Sequence, residues 1–173
     1  MRWLVANLGT ALVASFVIAM FEGAIEKLVA LAVLMPIVAS IGGNAGTQTM
    51  AVTVRAIATN QLTRSNTRRI IWREMRVALL NGATVAVLIG AATAVVFSIW
   101  LDPATGTTLG LVIASAMLSN IVTAGLAGVA VPVLFDRMDQ DPAVASSVFV
   151  TMITDSMGFF AFLGLAVASG LVG

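Results

Sequence analysis

Residues 142–172 read PAVASSVFVTMITDSMGFFAFLGLAVASGLV, an apolar run broken by one formal charge, the carboxylate of Asp155. A helix crosses the hydrocarbon of a bilayer with ~20 apolar residues, so this segment is long enough to span. A charge at the bilayer centre costs at least ~2.5–3.5 kcal/mol even on lenient insertion scales. Such a residue faces a protein interior or a water-filled path, and it marks a site. The start of the segment is equally clear. Asp141 can cap the free backbone N–H groups and Pro142 suits the first helical position. Asp155 then lies 13 residues beyond Pro142, ~20 Å along a straight helix.

The rest of the chain has the same character. Of its 173 residues, 60% are hydrophobic and 10% are charged, and the mean hydropathy is +1.05. Soluble domains run nearer ~25% charged. A soluble chain of this length could not bury so much apolar surface. The composition therefore predicts an all-α, multi-pass membrane protein. Five spans are expected: Leu4–Phe21, Leu28–Ala58, Val77–Trp100, Leu109–Phe135 and Pro142–Val172. The N-terminal apolar run is too long for a secretory signal and lacks its cleavage site, so it reads as a retained span.

Charge sets the orientation. Arg64, Arg68, Arg69, Arg73 and Arg76 crowd the second connection, with Arg55 just before it. Positive residues collect on the cytoplasmic side. The connections around Glu22–Lys27 and Asp102 then lie outside, the N-terminus is cytoplasmic and the C-terminus extracytoplasmic. Trp3, Trp72 and Trp100 fall near the expected interfaces.

Residues 28–58, LVALAVLMPIVASIGGNAGTQTMAVTVRAIA, are long and carry polar residues at their centre. Pro36 followed by Gly42-Gly43 predicts an interrupted helix. In lipid, irregular backbone is tolerated only where it is buried or lines a cavity. Asn44 is 14 residues in from Ala58, so it is expected at the depth of Asp155. Asn44 and Gln48 are four apart, on one helical face. The chain has no His and no Cys. Only carboxylate, amide, hydroxyl and carbonyl oxygens are in reach, and these suit hard cations such as Mg²⁺. One carboxylate per chain is thin for a dication. Two copies about a two-fold axis would supply two, enough for an ion that keeps several waters.

The segment FEGAIEKLVALAVLMPIVASIGGNAGTQTMAVTVRAIA, together with DPAVASSVFVTMITDSMGFFAFLGLA, resembles the transmembrane domain of the MgtE family of magnesium channels. The resemblance runs over nearly the whole chain. The GGNAGTQ core, the DPA start and TDSMGF carry it together. It implies a pore domain over residues 1–173, five helices per protomer, a homodimer, and a pore lined by the second and fifth spans. It implies Asp155 as the central ion ligand, with Thr47, Ala51, Ser147 and Thr151 nearby. Thr47 and Ser147 stand where some members of that family carry Asn. It also implies a prokaryotic cytoplasmic membrane, with Mg²⁺ as transported ion and pore ligand. The N-terminal and CBS regulatory domains usual in the family are not in this sequence.

These features rank the functions. A Mg²⁺ channel or transporter comes first. An ion-coupled carrier for divalent metals, driven by protons or sodium, is the alternative. An enzyme is not expected: an intramembrane aspartyl protease needs two carboxylates at depth, and a serine protease its His. A net charge of +1 offers nothing to nucleic acid. Glu22 and Glu26 either attract cations at the outer mouth or form a solvated loop screened by Lys27. Asn120, midway along the fourth span, is expected to hydrogen-bond between helices.

Overall fold

The computed structural model describes residues 2–62 and 66–172, with every side chain but that of Arg2. Arg64 of the basic connection lies outside the described residues. The described residues form helices α1 (Arg2–Ala19), α2 (Glu22–Lys27), α3 (Ala30–Ala58), α4 (Thr67–Trp100), α5 (Pro103–Arg137) and α6 (Pro142–Ala168). α3, α4, α5 and α6 are each long and apolar enough to cross a membrane, whereas the apolar stretch of α1, Trp3–Ala19, is shorter. The segment expected as the connection Glu22–Lys27 is itself a short helix, α2.

Capping explains several ends. Asp141 Oδ1 accepts from the backbone N–H of Ala143 at 2.9 Å, with Pro142 in the first turn of α6, as its sequence indicates. The same Asp-Pro device opens α5, where Asp102 Oδ1 accepts from Ala104 N at 3.0 Å and Thr105 N at 2.9 Å. Hydrogen bonds from the Thr105 side chain, and then from its N–H, hold the Asp102 carboxyl below the usual carboxylate range. α3 and α5 are each followed by a left-handed residue, Asn60 at φ 54° and Asp139 at φ 55°. Asn and Asp tolerate that conformation better than other non-glycine residues.

Two expectations are corrected here. α3 is not interrupted: it is helical from Ala30 to Ala58, with Pro36 inside it. Pro36 removes one N–H, the one that would bond the Ala32 carbonyl. Its neighbours Leu34, Met35 and Val38 are buried in the main core, which holds the turn in place. Gly42 and Gly46 serve close packing rather than unwinding. The last helix also ends earlier than expected, at Ala168 instead of Val172. The segment beyond it turns back, and Lys27 Nζ donates to the Val172 carbonyl at 3.1 Å. That bond ties Lys27 of α2 to the turn after α6.

α5 is the central helix, packed against α3, α4 and α6, while α1 packs on α6. Contacts at glycines fix the directions. On α4 and α5, Gly90 faces Ala114 and Gly82 faces Ile121, an antiparallel pair. On α3 and α5, Gly42 faces Asn120 and Gly46 faces Ala124, a parallel pair. Gly46 faces Val150 and Thr154 while Gly158 faces Val38, so α6 runs against α3. The main core joins Leu31, Leu34 and Val38 of α3 to Leu109, Ile113 and Met117 of α5 and Phe162 and Leu163 of α6.

Candidate functional site

The α3–α6 crossing is made by small residues. A Cβ on Gly46 would lie 2.8 Å from Val150 Cγ1 and 3.2 Å from Thr154 Cγ2. Towards the other end of the crossing, Gly42 and Gly158 both abut the Asn120 carboxamide. These contacts bracket Asn44 on α3 and Asp155 on α6 at one level of the bundle. They also turn Gly42 and Gly46 inward, so that Asn44, opposite them on the helical wheel, faces out.

The sequence-derived site residues fall on two helical stripes. Asn44, Thr47, Gln48 and Ala51 are spaced i, i+3, i+4 and i+7 along the continuous α3. Ser147, Thr151 and Asp155 are spaced i, i+4 and i+8 along α6. Asn44, Gln48 and Ala51 are exposed, and Thr47, Ser147, Thr151 and Asp155 are half-buried. Thr47 is locally satisfied, its Oγ1 donating to the Gly43 carbonyl at 2.9 Å. Asp155 makes no hydrogen bond or ion pair among the described residues, so its carboxylate is uncommitted.

The two stripes line different cavities. Asn44 and Gln48 line a groove of about 400 Å³ between α3 and α4, across α5, with Glu74, Asn81 and Thr84 on its far wall. Ser147 and Thr151 line a cleft of about 280 Å³ against Trp3, Leu4 and Asn7 of α1. Asp155 lines neither. Among the described residues, no three acidic, His or Cys side chains converge where a metal could sit. Glu74 and Asn81 are polar groove residues that sequence reasoning missed. Their signal was the seven-residue spacing on one helix, which repeats on nearly the same face.

Buried polar groups concentrate behind the stripes. Thr154 is 0% exposed, and its Oγ1 donates to the Thr151 carbonyl at 3.0 Å. Asn120 is 1% exposed, and its Nδ2 donates to the Val38 carbonyl on α3 at 3.1 Å, the interhelical bond its sequence position suggests.

The family model described as "MgtE: Divalent cation transporter" matches residues 35–165, a span that includes both stripes and the Asn120 contact. The chain belongs to the MgtE family. It is 33% identical over 166 residues to a magnesium transporter MgtE of Bacillus subtilis, covering 96% of this chain. It is 34% identical to namesakes from Enterococcus faecalis and Thermus thermophilus, each covering 95% of this chain. The chain spans 35% of the length of these relatives. With its long apolar helices, family membership makes this a multi-pass integral membrane protein.

Proposed function

We propose that this chain forms the membrane-spanning ion pathway of a Mg²⁺ transporter, with Asp155 as its central ligand. The observation that carries the reading is the α6 stripe. An unpaired carboxylate stands mid-helix, in line with the hydroxyls of Thr151 and Ser147, on a half-covered face of an apolar helix. The side chains offer oxygen but no imidazole or thiolate, the donor set of a hard cation. The relatives named as magnesium transporters supply the ion.

One protomer presents one such carboxylate, so the pathway lies at the axis of a homodimer. There the α6 stripes of two copies face each other, with Thr47 and Ala51 of α3 at their flanks. Two carboxylates offset the charge of an ion that retains water. Asn44 and Gln48, turned towards α4, extend polar surface away from that axis. Flow into the cell needs no coupled ion, because a membrane potential contributes ~2.3 kcal/mol per charge per 100 mV.

The chain crosses five times in this reading. α1, with 18 residues, reaches ~27 Å at ~1.5 Å per residue, close to the ~30 Å hydrocarbon. α4 and α5, with 34 and 35 residues, overhang it. The overhang carries Arg68, Arg69, Arg73 and Arg76 at the start of α4 and Arg137 at the end of α5. That end is cytoplasmic, which puts the N-terminus inside and the C-terminus outside.

The test is Mg²⁺ uptake into liposomes containing the purified chain. Asp155→Asn removes the charge and keeps the shape. Its uptake is expected to fall to that of empty liposomes while the protein stays monodisperse. Wild-type uptake by Asp155→Asn would overturn the assignment. A proton gradient that drives uptake uphill would favour the coupled carrier instead.

A further inference from the structure

Asn120 lies at the middle of α5, where three helices meet. Its Nδ2 is fixed on the Val38 carbonyl. A Cβ at Gly42 would overlap the carboxamide, and one at Gly158 would lie 2.5 Å from Nδ2 and 3.1 Å from Val38 Cγ1. The amide is thus clamped between α3 and α6, in a slot that only glycines leave open. Its Oδ1 is buried with no donor among the described residues. A buried acceptor left unpaired is costly, so plain packing would be better served by a hydrocarbon side chain. The level of the clamp matters too. Gly158 is three residues from Asp155, and Gly42 two from Asn44.

We propose that Asn120 is a positioning residue for the ion pathway: held on the Val38 carbonyl between Gly42 and Gly158, it sets the rotation of α3 against α6. That rotation decides which α3 side chains stand beside Asp155. The hydrogen bond is directional where apolar contacts are not, so it fixes an angle that packing alone leaves loose. A small rotation of α3 would carry Thr47 and Asn44 together towards the α6 face or away from it. Val38, Gly42 and Gly46 share one face of α3, so a hold on the first governs the whole segment. The proposal rests on the reading of Asp155 as the ion ligand.

The experiment uses the full chain in liposomes. Asn120→Ala is expected to raise the half-saturating Mg²⁺ concentration about fivefold, the equivalent of one hydrogen bond, with maximal uptake little changed. The chain has no Cys, so Thr47→Cys reports the orientation of α3 through its labelling rate by a water-soluble thiol reagent. That rate should change when Asn120→Ala is added. Asn120→Ala/Gly42→Ala places a methyl in the vacated slot. It should recover thermal stability without recovering half-saturation, and it replaces the single variant if that one does not fold. Recovery of both, or wild-type half-saturation and labelling in either variant, would overturn the proposal and reduce Asn120 to packing. Asp155→Asn distinguishes the two readings. If it transports normally the ion assignment fails, while a shifted Thr47→Cys labelling rate still shows Asn120 orienting α3.

Discussion

Along the α4–α5 seam, Gly82, Gly90, Gly110 and Gly125 meet leucine, isoleucine, alanine and backbone; around α6, Gly42, Gly46 and Gly158 meet Asn120, Thr154 and valine. Both regions use glycine to bring helices together, as membrane bundles do. The first is mostly apolar and close: Gly90 and Gly110 approach each other's backbone so nearly that a Cβ on Gly110 would sit 2.6 Å from the Gly90 carbonyl oxygen. The second leaves its outward stripes polar and half-covered. In the proposed reading the α4–α5 hairpin is scaffold and the α3–α6 crossing carries the ion site. The same residue type does not mark function; what its neighbours carry does.

The contrast can be broken at each region. The largest effect on folding is expected from Gly110→Val. Its methyls meet backbone, which cannot yield, at a cost of about 3 kcal/mol or more. The thermal midpoint should drop by ~6–12 °C. An unchanged midpoint would show that the seam is looser than its geometry. Asp141→Ala removes the cap of the site helix and should cost ~1 kcal/mol. It should also raise the half-saturating Mg²⁺ concentration, because α6 carries Asp155. A shift in stability without a shift in half-saturation would separate the cap from the site.

Gly43 lies on the outward face of α3, where an added Cβ meets nothing within 4 Å. Gly43→Ala should leave the fold intact and stabilise α3 by up to ~1 kcal/mol. A lower midpoint in calorimetry would place Gly43 against a neighbour that this geometry does not contain. The smallest effect concerns the cap of the scaffold helix. The folded-state pKa of Asp102 is lowered, first by the Thr105 side-chain hydrogen bond. Its contribution is present above the unfolded value of ~3.9 and is lost as pH falls through the folded value. The midpoint should decline below about pH 4, and Asp102→Asn should flatten that decline without altering uptake at neutral pH.

Much of this was legible in residue order. Asp141-Pro142 announced the start of α6, and the hydropathy of residues 142–172 announced a span. Asn120 stood out as an amide in an apolar helix, and its bond to Val38 is there. Other features were not legible. Pro36 and Gly42-Gly43 promised a break that the packing of Leu34, Met35 and Val38 suppresses. Asn44 and Gln48 promised to join Asp155, yet their face of α3 turns to the groove shared with Glu74 and Asn81. The α5 cap at Asp102 was also overlooked, though its Asp-Pro pair repeats the one at Asp141.

Sequence alone determined that this chain lives in lipid and where its last helix begins. Those properties follow from transfer free energy and local backbone chemistry, each set by a few neighbouring residues. Tertiary structure decided that α3 stays whole, which of its faces meets α6, and that Asn120 sits behind the candidate site. Helix rotation and continuity depend on contacts between segments far apart in the chain. The same glycine can unwind a helix or let two helices touch, and only the partner across the gap selects between them.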